Sequence, residues 1–460
     1  MDLERYARNL LQRIFYARDG HRQINRYRKE ALSDLHSQVN KNEILEALKE
    51  LLTHAYNETT YYRKRWDEAG FNPAGFKDLR DLSAIPFVTK DVIQHNKESM
   101  VAGSYRKRLK SSRTGGSSGN PVTFYMDKTC ADMRMGRQAG ILEFCGYQPG
   151  DRCGLLWGAH FDLNLSLASG IKNKLREFAA GKRTLCCTVM EEDKMAFFHG
   201  RLLTFRPKIL YGYPNALSEF AAFIERRNLP PIHVERVFCT AEALTMRRRK
   251  QLNEAFRGEV YNLYCTREHG CMGFECKEHD GFHLDSRSVF VETINLRETG
   301  AGLVGDIVVT DLLNYGMPLI RNRIGDVGLL SEEPCGCGCS LPLLKHFSGR
   351  ESDFLYKKDG TPVAGLMLLD LLGDVGEVEW IQMVQESIAT IDIFLVVNEG
   401  YNESIGGQFT RQLNELFDGQ TAFRLHVVDQ IPRNANSGKF SEVICRLSDA
   451  GKQSRRGREV

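Results

Sequence analysis

Between Arg113 and Pro121 the chain reads Arg-Thr-Gly-Gly-Ser-Ser-Gly-Asn-Pro, with three glycines, two serines and a threonine. Glycines let backbone amides turn toward one point and hydroxyls add donors there, which is the chemistry of a phosphate cradle. The Gly-Lys-Ser/Thr ending of a Walker loop is absent, and the glycine spacing differs from the dinucleotide fingerprint. Gly115-x-Ser117-x-Gly119 formally matches the serine-hydrolase nucleophile elbow, which requires a strand before the serine and a helix after it. Here RKRLKSSR, a poor buried strand, precedes the loop, and VTFYM, which alternates like a strand, follows Pro121. A serine hydrolase and an ordinary surface hairpin loop stand as alternatives to the phosphate loop.

Cysteine and histidine offer a second chemistry. Cys276 and His283 are spaced as C-x6-H, and Cys335 and Cys337 as C-x-C within PCGCGC. Two such pairs could converge on tetrahedral Zn²⁺, for which thiolate and imidazole are suitable ligands. The spacing is not that of a common zinc finger, so buried reduced thiols are the alternative. Cys339, Cys271 and His279 are spare ligands, and the absence of an acid-base partner nearby in sequence points to a structural site.

The elements around these residues follow from periodicity. Leu3, Tyr6, Ala7, Leu10, Leu11, Ile14 and Phe15 form a helical stripe flanked by Arg5, Arg8, Arg13 and Arg18, suited to packing on the domain, on a second subunit or on a membrane surface. Ile44, Leu45, Leu48, Leu51, Leu52 and Ala55 predict one amphipathic helix from Asn42 to Trp66. GLLWG, PKILYGY, ERVFCTA and GDIVVTD read as strands alternating with the helical ALSEFAAFIERRN and TMRRRKQLNEAFR. That alternation predicts an α/β domain with largely parallel sheets. After Gly349 come a helix-like MLLDLLGDV, strand-like EVEWIQMVQ and ATIDIFLVVN, a helical SIGGQFTRQLNELFDG and a strand-like TAFRLHVVD. The expected division is therefore a large domain over 1–348 and a small α+β domain over 349–460.

Composition sets bounds. A chain of 460 residues exceeds one hydrophobic core, and 62 Lys+Arg against 59 Asp+Glu give no footprint for nucleic acid. MDLERYARNLLQRIF lacks the apolar run of a signal peptide or transmembrane helix. With 13 cysteines, an odd number, a reduced cytoplasmic protein is expected.

Several motifs, taken in order from Asn42 to Cys445, resemble the adenylate-forming superfamily. They are TTYYRKRWDEAGFNP with DLSAIPFVTKDVI, the loop from Thr114 to Pro121, YGYPNALSEFA, CTAEALT, VYNLYCTREHG, GDIVVTD, PLIRNRIGDVG, SGRESD and IPRNANSGKF. The branch resembled is that of phenylacetate-CoA ligases and their capsule-biosynthesis and coenzyme-F390-synthetase-like relatives.

The resemblance implies a large domain with mixed and parallel sheets plus a mobile carboxy-terminal domain. It also implies activation of a carboxylic acid by ATP to an acyl-AMP, followed by acyl transfer. In that reading Thr114, Ser117, Ser118 and Gly119 hold the β- and γ-phosphates, and Glu268 holds Mg²⁺. Asp326 accepts the ribose hydroxyls, Glu242, Tyr264 and Arg350 complete the nucleotide pocket, and Lys439 is the adenylation lysine. Zinc occurs at matching positions in parts of the branch. CoA, an amine or a hydroxyl is left open as acceptor, and a second subunit as partner.

Several residues depart from the pattern. Asn120 stands where many relatives have Lys, Cys265 where Gly is common and Asn322 where Tyr is common. KKDGTPVAGLML differs from the glycine loop of the phenylacetate enzymes, so the acid is unassigned. A non-catalytic, zinc-stabilised relative is the third reading.

Overall fold

The structure, a computed structural model, describes residues 2–37, 40–113, 122–158, 178–188, 190–299, 302–331, 333–371, 375, 377–432 and 441–447. Four helices open the chain: α1 (Leu3–Arg18), α2 (Ile24–Leu35), α3 (Lys41–Glu58) and α4 (Thr60–Glu68). The single helix expected from Asn42 to Trp66 is broken at Thr59, whose backbone is extended at φ −120° and ψ 139°. The Thr59 hydroxyl donates to the Ala55 carbonyl at 2.8 Å and accepts from the Tyr62 amide at 3.2 Å. It closes one helix and caps the next. α1 also departs from one expectation, because Leu3, Tyr6, Leu10 and Ile14 face solvent rather than the domain.

α5 (Lys90–Asn96) follows, then the antiparallel hairpin of β1 (Lys110–Arg113) and β2 (Thr123–Met126), then α6 (Lys128–Phe144). β3 (Cys153–Trp157), β4 (Lys182–Cys186), β5 (Ile209–Gly212), β6 (Arg236–Thr240) and β7 (Glu259–Thr266) run parallel in the order β4-β3-β5-β6-β7. α7 (Glu192–Phe205), α8 (Pro214–Arg226) and α9 (Met246–Phe256) connect them and bury one face of the sheet through Leu202, Phe220, Leu252 and Phe256. α2 and α6 cross closely at Gly136 and Gly140, where a Cβ would stand 2.4 Å from Tyr27 and 2.7 Å from Ala31.

β8 (Gly270–Phe274), β9 (Phe282–Leu284), β10 (Val289–Thr299), β11 (Gly302–Asp311), β12 (Asn322–Ser331) and β13 (Leu343–Arg350) extend the same sheet antiparallel, in the order β7-β8-β9-β13-β12-β11-β10. Among the described residues this is one mixed sheet of eleven strands. The mostly parallel sheet predicted for the middle of the chain is its β3–β7 part, whereas GDIVVTD, expected within it, lies in β11 and pairs antiparallel on both sides. No described helix is long and apolar enough to cross a membrane.

Beyond Arg350 the chain builds smaller layers. β14 (Phe354–Tyr356) and β15 (Pro362–Ala364) pair, and α10 (Gly365–Leu371) follows. β16 (Val378–Ser387), β17 (Thr390–Val397), α11 (Glu403–Leu416), β18 (Ala422–Val427) and β19 (Val443–Cys445) complete a sheet ordered β18-β17-β16-β19. Leu355, Leu368, Met383, Ile393, Phe409 and Leu413 form a core of their own. The alternation predicted for EVEWIQMVQ and ATIDIFLVVN is the in-out burial of β16 and β17.

Candidate active site

A cleft of about 370 Å³ lies where the two layered bodies meet. Glu242, Tyr264, Asp326 and Arg350 all line it, together with Asn215, Phe282, Phe347 and, from the small body, Leu369 and Glu442. Four of the predicted nucleotide-binding residues, drawn from the turn after β6 and from β7, β12 and β13, thus face one space.

Strand register places the acid. Asp326 and Arg350 are direct partners in the β12–β13 pairing, and Arg350 Nε stands 3.8 Å from Asp326 Oδ1. The Tyr264 hydroxyl donates to Asp326 Oδ2 at 2.8 Å. Burial pushes the Asp326 carboxyl up, while Arg350 and the Tyr264 hydroxyl act in the opposite direction. A carboxylate has about four acceptor sites, so Asp326 retains capacity for further donors. Tyr264, Phe282 and Phe347 pack ring against ring, with centroids 5.1 to 5.5 Å apart, and form an aromatic wall.

Glu242 follows Ala241, which adopts φ +67°, a strained value for a residue with a side chain. From there its Oε2 accepts the Asn215 amide at 3.3 Å, in the first turn of α8. Glu242 is therefore at least a helix-capping acid. The Asn215 Oδ1, buried at the cleft, has no hydrogen-bond partner among the described residues.

Glu268 does not line the cleft. It lies half-buried in the turn between β7 and β8, and its backbone carbonyl accepts from Arg134 Nη2. Arg134 also pairs with fully buried Asp311, which stands 3.7 Å from His269 Nδ1. Asn322 Nδ2 donates to His269 Nε2 at 3.0 Å. This buried polar group fixes the turn that carries Glu268, and it explains the Asn322 departure: the amide serves His269.

Lys90 was not singled out in the sequence. The Val88 amide donates to Arg321 O at 3.0 Å and the Arg323 amide to Val88 O at 2.8 Å, which brings the start of α5 beside β12. Burial pushes the Lys90 ammonium down and Arg350 adds to that, with Glu268 and Asp326 opposing. A signal did exist, because a lysine in the first turn of a helix opposes the macrodipole.

Thr114, Ser117, Ser118, Gly119 and Lys439 lie outside the described residues. Their flanks are informative. The glycine-rich segment connects β1 to β2, with Arg113 paired to Thr123, and α6 starts only after β2. Among the described residues a strand and not a helix follows the segment, unlike the strand-turn-helix context of a hydrolase elbow. On the other side, Glu442 stands three residues beyond Lys439 and pairs with Arg248.

Away from the cleft, the ligand atoms of Cys276, His283, Cys335 and Cys337 all lie within 4.8 Å of one another. Cys276 Sγ is 3.5 Å from Cys335 Sγ, and Cys337 Sγ is 3.3 Å from His283 Nε2. Tetrahedral zinc with bonds of about 2.3 Å to sulfur has ligand edges of about this size. The Glu278 and Cys339 amides donate to Cys276 and Cys337 sulfur at 3.4 and 3.3 Å. The spare candidates go elsewhere: Cys339 to Leu35 O, Cys271 opposite Cys265, and His279 to Glu275.

The fold is that of the adenylate-forming CoA ligases. A crystal structure of 2-hydroxyisobutyryl-CoA ligase in the postadenylation state, in complex with R3-HIB-AMP, superposes with a TM-score of 0.71 at 18% identity, over 88% of this chain and 89% of that one. Residues 355–446 match the CapK C-terminal domain. Over 67% of its length the chain is 27% identical to the phenylacetate-coenzyme A ligase of Thermus thermophilus, covering 70% of that protein. It is also 25% identical to Protein CapK of Staphylococcus aureus, over 78% of this chain and 80% of that one. The chain is thus a relative of phenylacetate-CoA ligases and of CapK.

Proposed function

We infer that the protein is an ATP-dependent ligase. It activates a carboxylic acid as an acyl-AMP with release of pyrophosphate, then passes the acyl group to CoA. The observation that carries this reading is the convergence of Glu242, Tyr264, Asp326 and Arg350 on one cleft in a chain of this fold.

In the first half-reaction a carboxylate attacks the α-phosphorus of ATP against like charge, so positioning and neutralising donors are the levers. Asp326 accepts the ribose hydroxyls, and Arg350 beside it opposes the burial that pushes its carboxyl up. The loop of Thr114, Ser117, Ser118 and Gly119 cradles the outer phosphates. Glu268 would hold Mg²⁺, which supplies charge neutralisation on phosphate oxygens when bound; its turn is fixed by Arg134, Asp311 and His269. Lys90 adds a cation to the same field. Lys439 reaches the charge developing between carboxylate and α-phosphate, and withdraws with the small domain, taken as 349–460, before CoA enters.

Cys276, His283, Cys335 and Cys337 would hold a structural Zn²⁺ tying β8, β9 and the loop before β13 together. Thirteen cysteines, an odd number, fit a reducing compartment such as the cytoplasm. Incubation with ATP, CoA and a panel of aryl, fatty and hydroxy acids should yield AMP, pyrophosphate and a CoA thioester in equal amounts. ADP and phosphate as products, or acyl-AMP consumed only by an amine or hydroxyl, would overturn the respective half of the assignment.

A further inference from the structure

Two cysteines outside the zinc set face each other. Cys265 in β7 and Cys271 in β8 are direct partners in the antiparallel pairing, one step from the pair Thr266 and Gly270 that closes the hairpin. Directly opposed residues of an antiparallel ladder have Cα atoms about 4.5 or 5.5 Å apart, and a disulfide spans about 4.4 to 6.8 Å. Both side chains belong to one cluster, which Tyr261 and Leu263 of β7 share. Cys265 is half-buried and lines the cleft, whereas Cys271 is buried, and both are free thiols.

Reactivity is divided between them. Cys271 Sγ lies 3.6 Å from Gly273 O, and its hydrogen bond to Cys265 holds the Cys265 thiol below its ordinary value. The more exposed sulfur is therefore the better nucleophile and the buried one its resolving partner. In a reducing compartment a disulfide at such a pair is transient and redox-sensing, not structural.

We propose that Cys265 and Cys271 form a redox-modification site, oxidised by a hydroperoxide to a reversible disulfide across the β7–β8 hairpin. The Cys265 thiolate attacks the peroxide and breaks its O–O bond, giving a sulfenic acid; the expelled oxygen takes up the proton that Cys265 has lost and leaves as water or an alcohol. The Cys271 sulfur then attacks the Cys265 sulfur, the S–S bond forms, and the sulfenic hydroxyl leaves with the Cys271 proton as water. Two thiols are oxidised and one peroxide is reduced by two electrons. The bridge closes a ring over Thr266–Gly270, which contains Glu268, and fixes β7 at the residue after Tyr264. Its effect on activity rests on the ligase reading: adenylation falls because Glu268 and Tyr264 can no longer adjust to bound ATP.

The test treats the full-length protein with hydrogen peroxide and digests it with trypsin without reductant. Cleavage after Arg267 separates the two cysteines. The expected product joins peptide 258–267 to peptide 268–277 through Cys265 and Cys271, and dithiothreitol releases it. Acid-dependent exchange of pyrophosphate into ATP should fall with the fraction cross-linked and return on reduction. Cys271→Ser should keep wild-type exchange and lose both the cross-link and the peroxide sensitivity; Cys271→Ala replaces it if the serine variant does not fold. No cross-linked peptide, or Cys271 joined to a cysteine other than Cys265, would overturn the proposal. Peroxide inactivation undiminished in the Cys271 variant would overturn the regulatory effect, as would cross-linking without loss of exchange. Cross-linking in a protein that exchanges pyrophosphate with no acid, oxidised or reduced, would support the site and overturn the ligase reading instead.

Discussion

Arg248 in α9 and Glu442, just before β19, form a buried two-pronged ion pair between the large body and the small one. Arg248 Nη1 donates to Glu442 Oε2 at 3.0 Å and Nη2 to Oε1, with side-chain exposures of 12 and 9%. Two neighbours reinforce it: the Met246 amide donates to Asp370 Oδ1 at 2.8 Å, and Arg247 Nη2 to Val378 O. The pair therefore anchors the end of the segment that carries Lys439.

Breaking one side of a buried pair costs about 3 to 5 kcal/mol because the other charge is left unpaired. If the small body swings on segment 349–353, that cost falls on the arrangement seen here. Arg248→Ala should slow acyl-AMP formation at least tenfold and leave conversion of supplied acyl-AMP to product near wild type. The double variant Arg248→Glu/Glu442→Arg should recover part of the loss. Equal loss in both half-reactions would mark the pair as a general fold contact.

Asp326→Asn separates stability from function. Burial raises the Asp326 carboxyl, so the folded state keeps its proton to a higher pH than the unfolded chain. Stability then falls as pH rises through the window between the unfolded value and the raised folded one. Asparagine removes that loss and still accepts from Tyr264. The unliganded variant should melt no lower than wild type, with the difference growing in its favour as pH rises through the window. ATP binding should weaken by about 1 to 3 kcal/mol for unmatched ribose hydroxyls, read by calorimetry; unchanged affinity would remove Asp326 from the nucleotide site.

Lys90→Met tests the cation found at the start of α5. Its ammonium is disfavoured by burial and by Arg350, so methionine should leave the melting temperature of the unliganded protein unchanged or raised. Adenylation should fall about tenfold or more. A variant with full activity would reduce Lys90 to a filler of space beside β12.

Zinc is tested by content. The purified protein should carry about one zinc per chain, and Cys335→Ala should lower both zinc content and melting temperature, since metal binding is coupled to folding. Chelation should reproduce the loss in wild type. Zinc content and stability indifferent to the substitution would leave three reduced thiols and an imidazole beside buried Leu343.

What could be read from the sequence divides along physical lines. That Cys276, His283, Cys335 and Cys337 come together was legible from their C-x6-H and C-x-C pairs, although their spacing is not that of a common zinc finger. β16, β17 and α11 were legible because burial on one face writes its period into the chain. The break at Thr59 was not, since a threonine inside an amphipathic pattern caps a helix only if its hydroxyl finds the Tyr62 amide. Nor was the outward face of α1, because a stripe does not say which side the rest of the protein will take. Arg248 and Glu442 lie 194 residues apart, and no spacing rule joins them. Asn215 was not legible either, since it meets Glu242 only across the fold, whereas Lys90 did carry a signal in opposing the macrodipole of α5.

The central claim is acyl adenylation, and exchange of labelled pyrophosphate into ATP tests it most directly. Wild type should catalyse exchange only when a suitable carboxylic acid is present. Lys439→Ala should lower that exchange about a hundredfold, roughly 3 kcal/mol of transition-state stabilisation, while still converting supplied acyl-AMP to product. No exchange with any acid from a broad panel, or exchange unaffected by Lys439→Ala, would contradict the account.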